Sequence, residues 1–299
     1  MDFDIGLVGY GEVGKIFTHG LKAKTGRWVG AWDLKFADAA TREAECGHAA
    51  ANGIEACASA AALCGQANLI ISAVTASNTL AVAQEVARSI RPGTLFLDFN
   101  SASPGTKAQC AALIDGAGGH YVEAGVMTSV PPYGIKVPML LGGVKATELA
   151  AVLTGWGMNA TAVAEKIGVA SAIKMCRSVM IKGLEALVIE SYTTARAYGV
   201  EEHMIPTLYE TFPGIDWNKQ GAYFFSRVAQ HGKRRAEEMR ESANTVREAG
   251  FEPFMAAAIA EKHDWVAQQS RAGVFAGVAK DATWQDYADR LLQQTLQNK

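Results

Sequence analysis

No stretch of this sequence reaches the roughly 18 consecutive apolar residues that a membrane span requires, so the expectation is a protein without membrane insertion. Charge of either sign is also in short supply: 28 basic residues stand against 30 acidic ones, a net charge of -2. That excludes the strongly basic footprint of most nucleic-acid binders. The one dense cluster, Lys233-Arg234-Arg235, is bracketed by Glu237, Glu238 and Glu241 and reads as a solvated helix face. Cysteines are few: Cys46, Cys57, Cys64, Cys110 and Cys176 are odd in number and scattered, with no CxxC or Cys/His pairing of metal-site type. A disulfide framework and a structural metal site are therefore not expected, and reduced thiols in a cytosol are. The start of the chain lacks the basic region, apolar region and cleavage site of a secretory leader, which fits a cytoplasmic expectation. Internal repeats and low-complexity stretches are missing too.

What is present is enough for two domains. Of 299 residues, 49% are hydrophobic and 19% charged, a balance that supports a sizeable core. Up to about residue 165, short apolar runs alternate with helical patterns, the signature of an α/β domain with a parallel sheet. The first strand, Asp4 to Val8, enters Gly9-Tyr10-Gly11-Glu12-Val13-Gly14 and then a helix to about Leu21. GxGxxG between strand and helix binds dinucleotides: Gly9 makes the tight turn, Gly11 lets a pyrophosphate approach the backbone, and Gly14 lets helix and strand pack closely. The helix N-terminus supplies N–H groups to the phosphates. A second strand, Trp28 to Trp32, ends in Asp33, where a carboxylate accepts hydrogen bonds from an adenosine ribose. Asp33 repels a 2′-phosphate and so favours NAD, while Lys35 keeps NADP open.

The remaining α/β elements are expected as a helix over 37–46, a weak strand at 53–55, a short Ala-rich helix, a strand at 68–74, a helix over 79–89 and a strand at 94–99. Ligands of open parallel sheets bind beyond the carboxyl ends of the strands, so Val74, Thr75, Asn100 and Ser101 are candidate cofactor residues. Ser103 and Pro104 open the next helix as cap and first residue, and two strands at 120–124 and 137–141 flank a loop whose Met127 and Thr128 are candidate substrate contacts. Gly168 to Tyr198 then reads as one long helix. Lys174, Ser178, Lys182 and Glu185 fall on one stripe, and Ile173, Val179, Met180, Ile181, Leu184, Leu187 and Val188 cover most of the rest, so a buried helix is expected. Lys174 is expected to line a polar cavity. Beyond it the chain is helical, at 201–209, 223–247, 254–271 and 284–297, with His231, Arg235 and His263 read as surface charge or structure rather than chemistry.

The glycine turn, the segment Asp98-Phe99-Asn100-Ser101-Ala102-Ser103-Pro104, the loop Glu123-Ala124-Gly125-Val126-Met127-Thr128 and the helix with Lys174 and Ser178 follow in an order that resembles the β-hydroxyacid dehydrogenase family. That family includes 3-hydroxyisobutyrate and 6-phosphogluconate dehydrogenases. The resemblance implies a Rossmann domain (residues 1–165), a long interdomain helix, an all-helical substrate and dimerisation domain (residues 166–299), a homodimer, and Lys174 as the catalytic lysine. The chain departs from the family pattern at three places. Ser178 stands where Asn is usual, Met127-Thr128-Ser129 where Ser-Gly-Gly is usual, and Glu237-Glu238-Met239 near where a later helix often carries Lys-Asp-Leu. The expectation is an NAD-dependent oxidoreductase of a small hydroxy or keto acid, with Lys174 as acid/base and Ser101, Met127, Thr128, Ser178 and Lys182 around the substrate. The alternatives are an NADP-dependent reductase of an aldehyde, keto acid or imine, and a dinucleotide-binding protein without turnover.

Overall fold

A computed structural model describes residues 3–297. The chain divides into two compact units, the first ending at Met175 and the second beginning at Cys176.

The first unit is a doubly wound sheet. Strands β1 (Ile5–Val8), β2 (Val29–Trp32), β3 (Glu55–Ala56), β4 (Leu69–Ser72), β5 (Leu95–Asp98), β6 (His120–Val126), β7 (Met139–Gly142) and β8 (Ala160–Ala164) lie in the order β3-β2-β1-β4-β5-β6-β7-β8. All neighbours are parallel except β6 and β7, which form an antiparallel pair. β1, β4 and β5 are buried along their whole length, as strands covered on both faces must be. The strand order reverses between β1 and β4, which makes their carboxyl ends the topological switch point where such sheets bind ligands.

Helices α1 (Glu12–Thr25), α2 (Arg42–Ala51), α3 (Ala60–Gln66), α4 (Thr79–Ala87), α5 (Pro104–Gly116) and α6 (Ala146–Gly155) cover the sheet. Local chemistry fixes the starts of α3 and α5: Ser59 Oγ accepts the Ala62 N–H and Ser103 Oγ accepts the Thr106 N–H, each a side-chain cap. α2 begins later than the expected 37–46. Asp33 Oδ1 accepts the Lys35 N–H and sets up a short 3-10 turn, Leu34–Phe36, and a further turn on Asp38 delays the helix. β8 is absent from the sequence expectation: Ala160-Thr161-Ala162-Val163-Ala164 is only partly buried at the sheet edge and carries little apolar signal.

α7 (Val169–Tyr198) crosses the boundary between the units. The second unit adds α8 (Glu201–Thr211), α9 (Trp217–Glu248), α10 (Phe254–Arg271) and α11 (Trp284–Gln297). α9 is broken at His231 (φ -131°, ψ 15°), so it is two helical runs rather than one. Two apolar clusters hold the unit, one around Tyr192, Phe225, Val228, Trp284 and Leu291 and a smaller one around Met239, Ala256, Ile259 and Ala260. The expectation that α7 is buried nearly all round is corrected: Met180 is 67% and Leu187 55% exposed, with Ile173 and Ile181 also exposed. Helical periodicity locates a stripe but does not say whether a broad apolar surface is covered within one chain.

Candidate functional site

Glycine geometry shapes the turn after β1. Gly9 takes φ +98°, which glycine adopts freely, and a Cβ there would meet the Ala73 carbonyl oxygen at 2.4 Å. A Cβ on Gly14 would lie 2.0 Å from the Gly9 carbonyl oxygen, so only glycine lets α1 start this close to β1. Gly11 differs, since a Cβ there would meet nothing within 4 Å. It is the N-cap of α1 and has no side chain to satisfy the first N–H groups. Open space at Gly11 and an uncapped helix N-terminus fit the pyrophosphate of a dinucleotide. Glu12 and Val13 form the first turn beside it, exposed and partly buried respectively.

At the end of β2, Asp33 Oδ2 accepts the Tyr10 N–H at 2.6 Å, which ties the glycine turn to the second strand. Each Asp33 oxygen makes one such bond and retains a further lone pair for a ribose hydroxyl. Tyr10 is buried, with its hydroxyl 3.0 Å from His48 Nδ1, so its side chain supports the turn from beneath. Lys35 Nζ lies 3.7 Å from Glu45, whose other oxygen pairs with Lys15.

Asn100 joins the ends of β4 and β5. Its Oδ1 accepts the Val74 N–H at 2.7 Å and its Nδ2 donates to Ser72 Oγ at 2.9 Å, so both ends of the amide are engaged by protein. Asn100 thus holds the Val74-Thr75 turn, which leaves the exposed Thr75 and half-buried Val74 and Ser101 at the sheet edge. Beneath Asn100 is a buried polar network that the sequence reading missed. Asp98 Oδ1 accepts the Asn100 N–H, Asp98 Oδ2 accepts the Tyr121 hydroxyl at 2.6 Å, and Lys107 Nζ stands 3.0 Å from Oδ2 and donates to the Asp98 carbonyl oxygen. Burial, followed by the Asp98 charge, pushes the Tyr121 hydroxyl well above its ordinary pKa, so it stays a donor. The available signal was a carboxylate inside an otherwise apolar strand.

The strand β6 brings the loop at Met127-Thr128-Ser129 to the same edge. Met127 and Ser129 are half-buried and Thr128 exposed. Lys174, half-buried on α7, lies against this strand: a Cβ on Gly125 would be 2.9 Å from the Ala170 carbonyl oxygen and 3.5 Å from Lys174 Cβ. Lys174 and the loop therefore share one sheet edge within the first unit.

In the second unit the α7 stripe continues as a buried charged cluster. Lys182 Nζ is 2.9 Å from Glu238 and donates to Ser178 Oγ at 3.2 Å, while Arg235 Nε donates to Glu185 at 2.7 Å. Arg235 is 7% exposed, which corrects its reading as surface charge: Glu185 neutralises it, and that pairing is what allows a guanidinium into the interior. Glu238, from the segment where the family pattern departs, is the partner of Lys182. His263 is fully buried with Nε2 3.7 Å from Glu185, beyond hydrogen-bond reach, and burial together with the Arg235 and Lys182 charges pushes its pKa down to about 3. It is a neutral core histidine. Ser178 and Lys182 are thus both buried and joined to each other.

Comparison with known proteins agrees with this geometry. The NAD binding domain of 6-phosphogluconate dehydrogenase matches residues 4–157, and a domain of unknown function, DUF1932, matches residues 195–266. A conserved hypothetical protein from Sinorhizobium meliloti 1021 is 37% identical, with 98% of this chain and 97% of that one covered and a TM-score of 0.77. The conserved protein MTH1747, of unknown function and described as similar in structure to 3-hydroxyacid dehydrogenases, is 29% identical, with 90% and 98% covered and a TM-score of 0.68. At 16% identity, the Mycobacterium tuberculosis 3-hydroxyisobutyrate dehydrogenase in complex with L-serine shares the fold, with a TM-score of 0.71 over 97% of this chain and 99% of that one. With a Rossmann-type unit followed by a helical one, and a matching dinucleotide-binding domain over half its length, the chain belongs to the β-hydroxyacid dehydrogenase-like family of nicotinamide-dinucleotide-binding oxidoreductases.

Proposed function

We propose that the protein is an NAD-dependent dehydrogenase that interconverts a small hydroxy acid and its keto form, with Lys174 as general acid/base. The single observation that carries this reading is the placement of Lys174 against Gly125 on β6, next to the Met127-Thr128 loop and on the sheet edge that holds the glycine turn. Gly9, Gly11, Gly14 and the N–H groups of Glu12 and Val13 would hold the pyrophosphate, Asp33 the adenosine ribose, and Val74, Thr75 and Ser101 the nicotinamide end. Bound NAD supplies a hydride acceptor; everything else falls to the protein. Lys174 in its neutral form would take the hydroxyl proton as the C–H hydride leaves the same carbon, and as an ammonium it would return that proton in reduction.

The NAD preference rests on Asp33, which meets a 2′-phosphate with like charge. Ser178, with its oxygen held by Lys182, would turn its hydroxyl proton toward a substrate oxygen, while Lys182 itself is engaged by Glu238 and acts through the serine. The exposed apolar residues Met180, Ile181 and Leu187 on α7 support a homodimer, since a soluble chain rarely leaves such a face uncovered. The test is NAD reduction, followed by absorbance, over a panel of short hydroxy acids, with the reverse reaction over the keto acids. Turnover with at least one pair is expected; none across the panel would overturn the reading.

A further inference from the structure

Glu123 takes no part in the chemistry proposed above, yet it is fully buried at the point where β6 meets α7. Its carboxylate accepts three backbone N–H groups from the start of the helix: Gly168 at 2.7 Å and Ala170 at 3.0 Å on Oε1, and Ser171 at 3.3 Å on Oε2. These are donors that a helix N-terminus otherwise leaves unsatisfied, and a negative charge there is favoured by the helix dipole as well. The neighbouring strand makes room for it. A Cβ on Gly142 of β7 would lie 2.5 Å from Glu123 Oε1, so a glycine is needed opposite the carboxylate.

Residues 123 and 125 alternate with 124 and so share one face of β6. The strand therefore grips the first two turns of α7 twice: Glu123 binds the N–H groups at its start, and Gly125 packs on the Ala170 carbonyl and Lys174 Cβ. Lys174 follows Ser171 by three residues, less than one helical turn. Any shift or fraying of that first turn passes directly to the Lys174 backbone.

We propose that Glu123 is a positioning residue for Lys174, fixing the first turn of α7 on β6 and with it the distance between the lysine and the Met127-Thr128 loop. The effect on turnover rests on the dehydrogenase reading; the effect on the helix start does not. Displacement of a reacting group by about 1 Å can cost roughly a hundredfold in rate, so this contact has leverage on catalysis that an ordinary helix cap lacks.

The experiment combines hydrogen exchange on the peptide spanning residues 168–175 with NAD affinity and steady-state kinetics, for wild type, Glu123→Gln and Glu123→Asp. In Glu123→Gln, exchange at the helix start should rise about threefold to thirtyfold, the range of a lost N-terminal cap, while peptides from β1 to β5 are unchanged. NAD affinity should stay within twofold and KM within about threefold, and kcat should fall at least tenfold; Glu123→Asp should recover part of both protection and kcat. Gly142→Ala, which crowds the carboxylate without removing it, should reproduce the kcat loss, and it serves if Glu123→Gln fails to fold. The inference is overturned if protection at 168–175 is unchanged, if the amides open and kcat does not fall, or if kcat falls only in step with NAD affinity. Should no hydroxy acid react with the wild type, the dehydrogenase reading fails by itself. The exchange result alone then supports or overturns the hold of Glu123 on the helix.

Discussion

Lys107 is 1% exposed and survives in an apolar unit because Asp98 offers it two oxygens, one from the side chain and one from the backbone. Removal of one partner from a buried ion pair leaves the other charge uncompensated, so Lys107→Met should cost about 3–5 kcal/mol in urea unfolding. Tyr121→Phe, which removes one hydrogen bond to the same carboxylate, should cost less, about 1.5–3 kcal/mol. A neutral Lys107→Met would show that the network does not support the Asn100 turn. His263 gives a prediction in pH. Its pKa is about 3 in the fold and 6.5 in the unfolded chain, so between those values the unfolded state binds a proton that the folded state does not. Stability is therefore complete above pH 6.5 and falls as pH drops from 6.5 toward 3, by about 2 kcal/mol between pH 6.5 and 5. His263→Phe should lose this slope; an equal slope in the variant would contradict the assignment. Half of each network is legible in advance: Asp98 stands out as a carboxylate in an apolar strand, and Ser178, Lys182 and Glu185 fall on one stripe, but nothing local pairs them with Lys107, Arg235 or Glu238.

Elements were easier to read than residues where one cause dominated. β4 and β5 declared themselves as continuous apolar runs, and α10 and α11 fall where periodicity and flanking Gly and Pro put them. The glycine turn was legible because its chemistry is local: three glycines and a helix start do the work within one segment. β8 escaped for the opposite reason, since an Ala-rich edge strand is held by pairing to β7 rather than by its own pattern. The break in α9 at His231 has a local mark in the adjacent Gly232, where a Cβ would meet the His263 carbonyl oxygen at 2.8 Å, but helical periodicity on both sides runs over it. The element-scale prediction concerns the β1 turn and the end of β2 together. With Asp33 bonded to the Tyr10 N–H and proposed to hold the adenosine ribose, NAD should bind at least tenfold tighter than NADP, about 1.4 kcal/mol, in calorimetry. Asp33→Ser should narrow that ratio. Equal or reversed affinities in the wild type would sink the cofactor assignment.

At the scale of the whole molecule, the sequence points to a Rossmann-type part ending near residue 165 and a helical part after it, whereas the two compact units divide at Met175, inside α7, so Lys174 belongs to the first unit. What the sequence could not distinguish was an apolar helix face buried within the chain from one left exposed, and α7 is the second kind. Light scattering at micromolar concentration should give twice the chain mass, and charge introduced by Met180→Lys with Leu187→Glu should shift it toward monomer. A wild type that runs as a monomer would remove the dimer from the account. Lys174 is the group on which the proposed proton transfer turns, and turnover of one variant tests it most directly. Lys174→Met keeps the helix and most of the side-chain volume but removes the proton carrier. With a hydroxy acid that the wild type oxidises, Lys174→Met should lower kcat by roughly a hundredfold to ten-thousandfold, with NAD affinity and melting temperature nearly unchanged. Wild-type turnover in that variant would contradict the assignment of Lys174 as the acid/base.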